Sequence, residues 1–303
     1  MRPLIPRVTL LACTLLLSLA ASAAESPPEK PIALISAFIP EWKALVQRVS
    51  DPVDDRINGV PFVTGSLGGK RVVLMMSGIS MVNAAMNAQL LLDHYPVRAI
   101  VFSGIAGGAD PALKIGDVAV PAEWRQSLET VFARQTRQGF KPEYFDGQPV
   151  LPNFGMMFPN RVEVGNQDTP PRYRDWFQAD AGLLAVARQV ADGVQLYHCA
   201  TPTRCLAHQP RVVVGGAGVS GPAFVDNKAY RQYVFTIFHA RVIDMESAAV
   251  AQVAFANQVP FIAFRSLSDL AGGDEKENQM TTFMDLAAAN SAIVVSAFIA
   301  ALP

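Results

Sequence analysis

Short apolar runs, each closed by glycine, proline or a polar break, recur along the chain at lengths too small for helices. They predict strands at 32–38, 59–67, 70–76, 98–102, 116–121, 212–214, 242–246 and in the first half of 261–273. Gly68-Gly69 separates two of them and reads as a hairpin turn. Between the runs lie segments of helical spacing. One at 42–49 follows Pro40, which suits a first turn. A small-residue helix after Ser77-Gly78 carries Ala84, Ala85 and Ala88, and an amphipathic helix occupies 179–191 with Asp180 as its cap. A further small-residue helix spans 247–256, and 283–301 is alanine-rich and apolar enough to be half buried. Strands alternating with helices predict a single large α/β domain. The stretch 122–176 breaks the rhythm. It is proline-rich and aromatic, and reads as an insertion serving as a lid or an oligomer contact.

Two places put polar groups where such a sheet binds ligands, beyond the carboxyl ends of its strands. The run starting at Phe261 turns polar at Arg265, Ser268 and Asp269 before Gly272-Gly273. These residues read either as ligand-facing groups or as an ion pair at a strand end. Glu41 falls at a strand-to-helix junction, where a carboxylate is also favoured simply by the helix dipole. In Gly104-Ile105-Ala106-Gly107-Gly108 the glycines allow close backbone approach to a ligand, but the dinucleotide spacing G-x-G-x-x-G is absent.

Residues 1–24 are set apart. Arg2 and Arg7 precede an apolar core at 8–20 and the run Ala21-Ser22-Ala23-Ala24, the layout of a secretory signal peptide cleaved near Ala23 or Ala24. The apolar run is shorter than the roughly 20 residues a membrane span needs. A periplasmic or secreted protein is expected, free of the membrane after cleavage, with a mature domain at 25–303. Export makes a Cys199–Cys205 disulfide the favoured state of the two remaining cysteines. No metal site is expected, because His198 and His208 nearby match no standard zinc spacing. A formal net charge of −1, with no basic patch, excludes a nucleic-acid footprint.

Four separated segments, in order, resemble the nucleoside phosphorylase and nucleosidase superfamily, and within it the 5′-methylthioadenosine/S-adenosylhomocysteine nucleosidases. They are Ala37-Phe38-Ile39-Pro40-Glu41; Ser77-Gly78-Ile79 with Val82-Asn83-Ala84-Ala85; Gly104 to Gly108 running on through Gly116-Asp117; and Asp244-Met245-Glu246 through Arg265-Ser266-Leu267-Ser268-Asp269. The resemblance covers about 32–121 and 210–300, and fails across 122–176 and the cysteine loop.

It implies a three-layer α/β fold with a central twisted mixed sheet flanked by helices, and cleavage of the N-glycosidic bond of a purine nucleoside. Asp269 would be the general acid at N7 of the leaving base. Glu41 and Arg265 would hold and polarise the attacking water. Glu246 would bind the ribose hydroxyls and Met245 would pack on the sugar. Phe224 and the backbone of Val225 would frame the base, and Ser268, Ala106 and Gly107 complete the expected substrate contacts. The chemistry suits these types: a departing purine gains negative charge, which a neutral carboxylic acid relieves, while carboxylates stabilise the sugar cation. No cofactor is expected, and a homodimer or larger homo-oligomer is. Water is the expected acceptor, since Phe102 and Glu41 stand where the superfamily's phosphorylases carry arginines. Ile105 replaces a usual serine, Met81 a frequent lysine, and Met280 falls near an aromatic position, so the 5′ substituent stays open. A phosphate-dependent phosphorylase and a non-catalytic nucleoside-binding protein are the alternatives.

Overall fold

A computed structural model describes residues 29–144, 151–274 and 276–303; the leader at 1–24 and its cleavage site lie outside the described residues. The chain opens with β1 (Ile32–Ser36) and α1 (Ile39–Val46), then the meander β2 (Ser50–Ile57), β3 (Val60–Leu67) and β4 (Lys70–Met76). Gly68 and Gly69 both take positive φ, 56° and 79°, which a tight two-residue hairpin requires. Next come α2 (Met81–His94), β5 (Ala99–Gly108), β6 (Val118–Val120) and β7 (Glu123–Gln126). Six short strands follow: β8 (Thr130–Phe132), β9 (Arg134–Thr136), β10 (Gly139–Lys141), β11 (Met157–Pro159), β12 (Val162–Asn166) and β13 (Thr169–Arg174). β14 (Phe177–Gln178) leads to α3 (Ala181–Ala191), then β15 (Cys199–Thr201), β16 (Arg204–Cys205), β17 (Val212–Val214) and β18 (Ala217–Ser220). The chain closes with α4 (Lys228–Phe238), β19 (Ala240–Asp244), α5 (Ser247–Ala256), β20 (Phe261–Asp269) and α6 (Met280–Ala301).

The main sheet is mixed. Its order is β14-β7-β18-β19-β5-β1-β4-β3-β2, with β20 joining β5 to β6 and β17 beyond. Central pairs such as β1 with β4 and β5, and β20 with β5, are parallel, whereas β19 meets β5 antiparallel. Strand alternation feeds an apolar core on each face. Ala33, Ile35, Ile100, Phe102 and Ala263 pack under α2 and α5, while Ile32, Leu34, Val101, Ile262 and Phe264 pack under α1, α3 and α6. This makes three layers. α6 is long and apolar enough to cross a membrane by length and composition, yet its Leu286, Ala288, Ala292, Val295 and Phe298 are buried against the sheet.

The excursion differs from its expected bounds. Residues 123–126 form β7 inside the main sheet with Trp124 fully buried, so the irregular part starts later. Its described residues form small two-stranded pairs, tied back where Arg125 reaches Asp175 and the Asn160 carbonyl and lies against the Trp176 and Phe238 rings. β2 and α4 are among the elements that escaped the sequence reading. β2 is exposed along almost its whole length and is recruited as an edge by β3. α4 buries Tyr230, Val234 and Phe238, four apart, and is capped by Asn227 accepting from Tyr230 N at 2.9 Å. Asp180 caps α3, accepting from Leu183 N at 2.9 Å. The Cys199 and Cys205 sulfurs are bonded, closing the β15–β16 hairpin.

Candidate active site

β1, β5, β19 and β20 end around one cavity of about 390 Å³. Ala37, Phe38 and Glu41 enter it from the β1–α1 passage, and Ile105, Ala106 and Gly107 from β5. Phe224 and Val225 come from the loop before α4, Met245 and Glu246 from the end of β19, and Ser268 and Asp269 from β20. These expected residues therefore meet in one place, with Phe224, 55% exposed, at the mouth. Arg265 does not line the cavity. It is fully buried behind the wall, with its guanidinium 4.1 Å from the Phe102 ring. Cys199 and Cys205 lie on a separate hairpin, and Met81 lines a different groove with residues of α2 and α5.

Glu41 satisfies both readings of its position. Oε2 turns back to accept from Ala37 N at 2.6 Å, the behaviour of a first-turn carboxylate closing its own helix start. Oε1 reaches across to β5 and accepts from Ile105 N at 2.8 Å. Ile105 thus positions Glu41 through its backbone and shows the cavity an apolar side chain. Gly104 makes this approach possible: a Cβ there would stand 1.8 Å from Arg265 Nη1 and 2.6 Å from Glu41 Oε1.

Three carboxylates converge on one cation. Arg265 Nε lies 2.7 Å from Asp244 Oδ2, while Nη1 stands 3.8 Å from Glu41 Oε1 and Nη2 3.8 Å from Glu246 Oε2. Glu246 Oε1 accepts from Ser80 N at 2.8 Å. Ser80 holds that amide in place from φ 80° and ψ 161°, a region nearly reserved for glycine, costing about 1–3 kcal/mol. Burial raises the pKa of both Glu41 and Glu246 against the pull of Arg265, and that of Glu246 reaches about 8.

Asp269 sits apart from that cation. The register explains why. Arg265 pairs with Gly104 and Asp269 with Gly107, so four steps on β20 match three on β5. The extra residue is a bulge at Ser268, and it turns Asp269 out of the face Arg265 occupies. Ser268 Oγ donates to Asp269 Oδ2 at 2.9 Å; Oδ1 accepts from Ala271 N at 2.8 Å and Asn278 Nδ2 at 3.4 Å. Burial nevertheless dominates and pushes the Asp269 carboxyl above the usual carboxylate range.

Sequence reasoning passed over Asp244, Ser80 and Asn278. Asp244 was visible as a second acid in Asp244-Met245-Glu246, two residues from Glu246 on the same strand end. Nothing in the sequence signals a serine with positive φ at position 80. Asn278 lies in the loop between β20 and α6, where no periodicity helps. The arrangement offers a carboxyl with burial-raised pKa at one end of an apolar-walled cavity and a cluster of carboxylates around a buried guanidinium at the other. Among the described lining residues none is a lysine or arginine.

Residues 31–300 match the family model described as the phosphorylase superfamily. The chain is 30% identical over 271 residues to a 5′-methylthioadenosine/S-adenosylhomocysteine nucleosidase of Tolumonas auensis, covering 88% of this chain and 98% of that protein. It is likewise 30% identical over 265 residues to the nucleosidase of the same description from Bacillus thuringiensis, covering 86% and 94%. Among solved structures, the Colwellia psychrerythraea nucleosidase in complex with adenine superposes with a TM-score of 0.67 at 26% identity, covering 91% of this chain and 96% of that one.

Proposed function

The chain belongs to the phosphorylase superfamily, and from that premise we propose that it hydrolyses the N-glycosidic bond of a purine nucleoside of the 5′-methylthioadenosine/S-adenosylhomocysteine class, releasing free base and sugar. The observation that carries the reading is the pairing, in one cavity, of a buried Asp269 with raised pKa and, apart from it, Glu41 and Glu246, which share Arg265 behind the wall. Protonated Asp269 gives its proton to N7 as the C1′–N9 bond breaks, so the purine leaves neutral. Such general acid catalysis contributes roughly 10²–10⁴-fold. Glu41 accepts the proton of the water that adds to C1′, and Arg265 acts on that water through Glu41 rather than by contact. Glu246 takes the ribose hydroxyls, Met245 lies on the sugar, and Phe224 with the Val225 backbone frames the base. Ser268, Ala106 and Gly107 complete the contacts.

Water suits this cavity better than phosphate does. An incoming phosphate would meet Glu41 and Glu246 and no lining cation among the described residues. The purified protein is expected to release base from 5′-methylthioadenosine without phosphate, assayed beside adenosine and inosine with and without added phosphate. Dependence on phosphate would make it a phosphorylase; binding without release would make it a binding protein. The reading extends to location and assembly: export by the 1–24 leader, an oxidising compartment that keeps Cys199–Cys205 joined, and a homo-oligomer. Signal processing in a secreting cell and light scattering of the mature protein test these.

A further inference from the structure

Arg265 has one strong grip. Its Nε lies 2.7 Å from Asp244 Oδ2 and 3.0 Å from Ser247 Oγ. Its two Nη atoms make no hydrogen bond among the described residues and stand 3.8 Å from Glu41 and Glu246. Asp244 is itself 5% exposed, and its second oxygen is equally engaged. Oδ1 accepts from the Ser220 hydroxyl and, at 3.3 Å, from the backbone amides of both Glu246 and Ser247. Ser220 Oγ in turn accepts from Ala248 N at 2.8 Å. One carboxylate therefore holds the guanidinium with one oxygen and the turn bearing Glu246 with the other.

We propose that Asp244 is a positioning residue for glycosidic cleavage: it clamps Arg265 by Nε so that the Nη edge faces Glu41 and Glu246, and it fixes the backbone from which Glu246 reaches the sugar. The inference rests on the hydrolase reading above. A fork held at Nε has only its Nη pair left to offer, so its angle decides the distance to both glutamates. Asparagine cannot substitute, because it supplies no charge to the guanidinium. The groups facing Glu246 are Arg265, Asp244, Glu41 and the Ser80 amide; Asp244 and Glu41 both raise its pKa. Removing the Asp244 charge leaves Arg265 to draw Glu246 and Glu41 toward their ionised forms.

The test is the pH dependence of kcat/KM for a purine nucleoside that the wild type cleaves, compared with Asp244→Asn, Ser220→Ala and Glu246→Gln. The limb due to Glu246 is the one missing in Glu246→Gln. In Asp244→Asn that limb is expected to move down by about one pH unit or more. kcat/KM is expected to fall at least about 10²-fold, and less than additively when combined with Glu246→Gln. A folded Asp244→Asn with an unmoved limb overturns the proposal, as does full additivity. Should Asp244→Asn fail to fold, Ser220→Ala, which loosens the same carboxylate, is expected to lower kcat/KM about 5–10-fold; unchanged kinetics there overturn it equally. A wild type that cleaves no purine nucleoside sinks the hydrolase reading instead, so the two failures are distinct.

Discussion

The two ends of the cavity use the same residue type in opposite surroundings. At one end, Glu41, Glu246 and Asp244 share a single buried cation, Arg265. At the other end, Asp269 has only neutral donors among the described residues: a serine hydroxyl, a backbone amide and a side-chain amide. All the shifted carboxyls are raised by burial, but only the pair Glu41 and Glu246 are held back by Arg265. Under the proposed hydrolysis, environment assigns the tasks: a proton donor where no cation is near among the described residues, and acceptors where one is.

The sharpest way to break this contrast is Asp269→Asn, which keeps the shape and removes the transferable proton. kcat is expected to fall at least about 10²-fold, with adenine binding by calorimetry little changed. Because burial raises the Asp269 pKa, its ionised form costs stability above the usual aspartate range, so the variant is expected to melt at or above the wild-type temperature at neutral pH.

Gly104→Ala attacks the other end. Its new Cβ would fall 1.8 Å from Arg265 Nη1, which forces the guanidinium and Glu41 apart. About 1–3 kcal/mol of lost stability is expected by denaturant titration, with activity falling alongside it.

A milder test uses pH alone. The folded pKa of Glu246 is raised from 4.5 to about 8, so its contribution to stability is complete below pH 4.5 and is lost as pH rises toward 8. Glu246→Gln is expected to flatten that part of the thermal stability profile. If the slope between these values is the same in both proteins, Glu246 does not titrate as the contrast requires.

The smallest effect is expected far from both ends. Replacing Cys199 and Cys205 by serine opens a loop spanning a sequence separation of only 6, so the loss should not exceed about 2 kcal/mol, with kcat unchanged.

Much of this was legible beforehand because it is carried by local pattern. The apolar runs that became β1, β4, β5 and β20 are buried on both faces, and such strands announce themselves. The acid at 269 was legible from the switch to polar residues after Phe264. What stayed hidden depends on partners distant in sequence. β2, with Pro52 and three aspartates, has no strand signal and exists because β3 offers it an edge. Arg265 was expected beside the water, but its depth follows from the β20 register and the Phe102 ring beneath it. α4 was legible and was missed: Asn227 followed by Tyr230, Val234 and Phe238 is a capped stripe of ordinary helical spacing.

The bulge at Ser268 makes this strand behave like a reading frame. Delete Leu267 while the bulge is kept, and Asp269 slides into phase with Arg265 while Leu270 takes its place opposite Gly107; the fold could survive, but a carboxyl facing the cavity would be traded for an alkyl group. Length changes in descendants of this chain should therefore collect in hairpin tips such as 137–139 and spare 261–269 altogether.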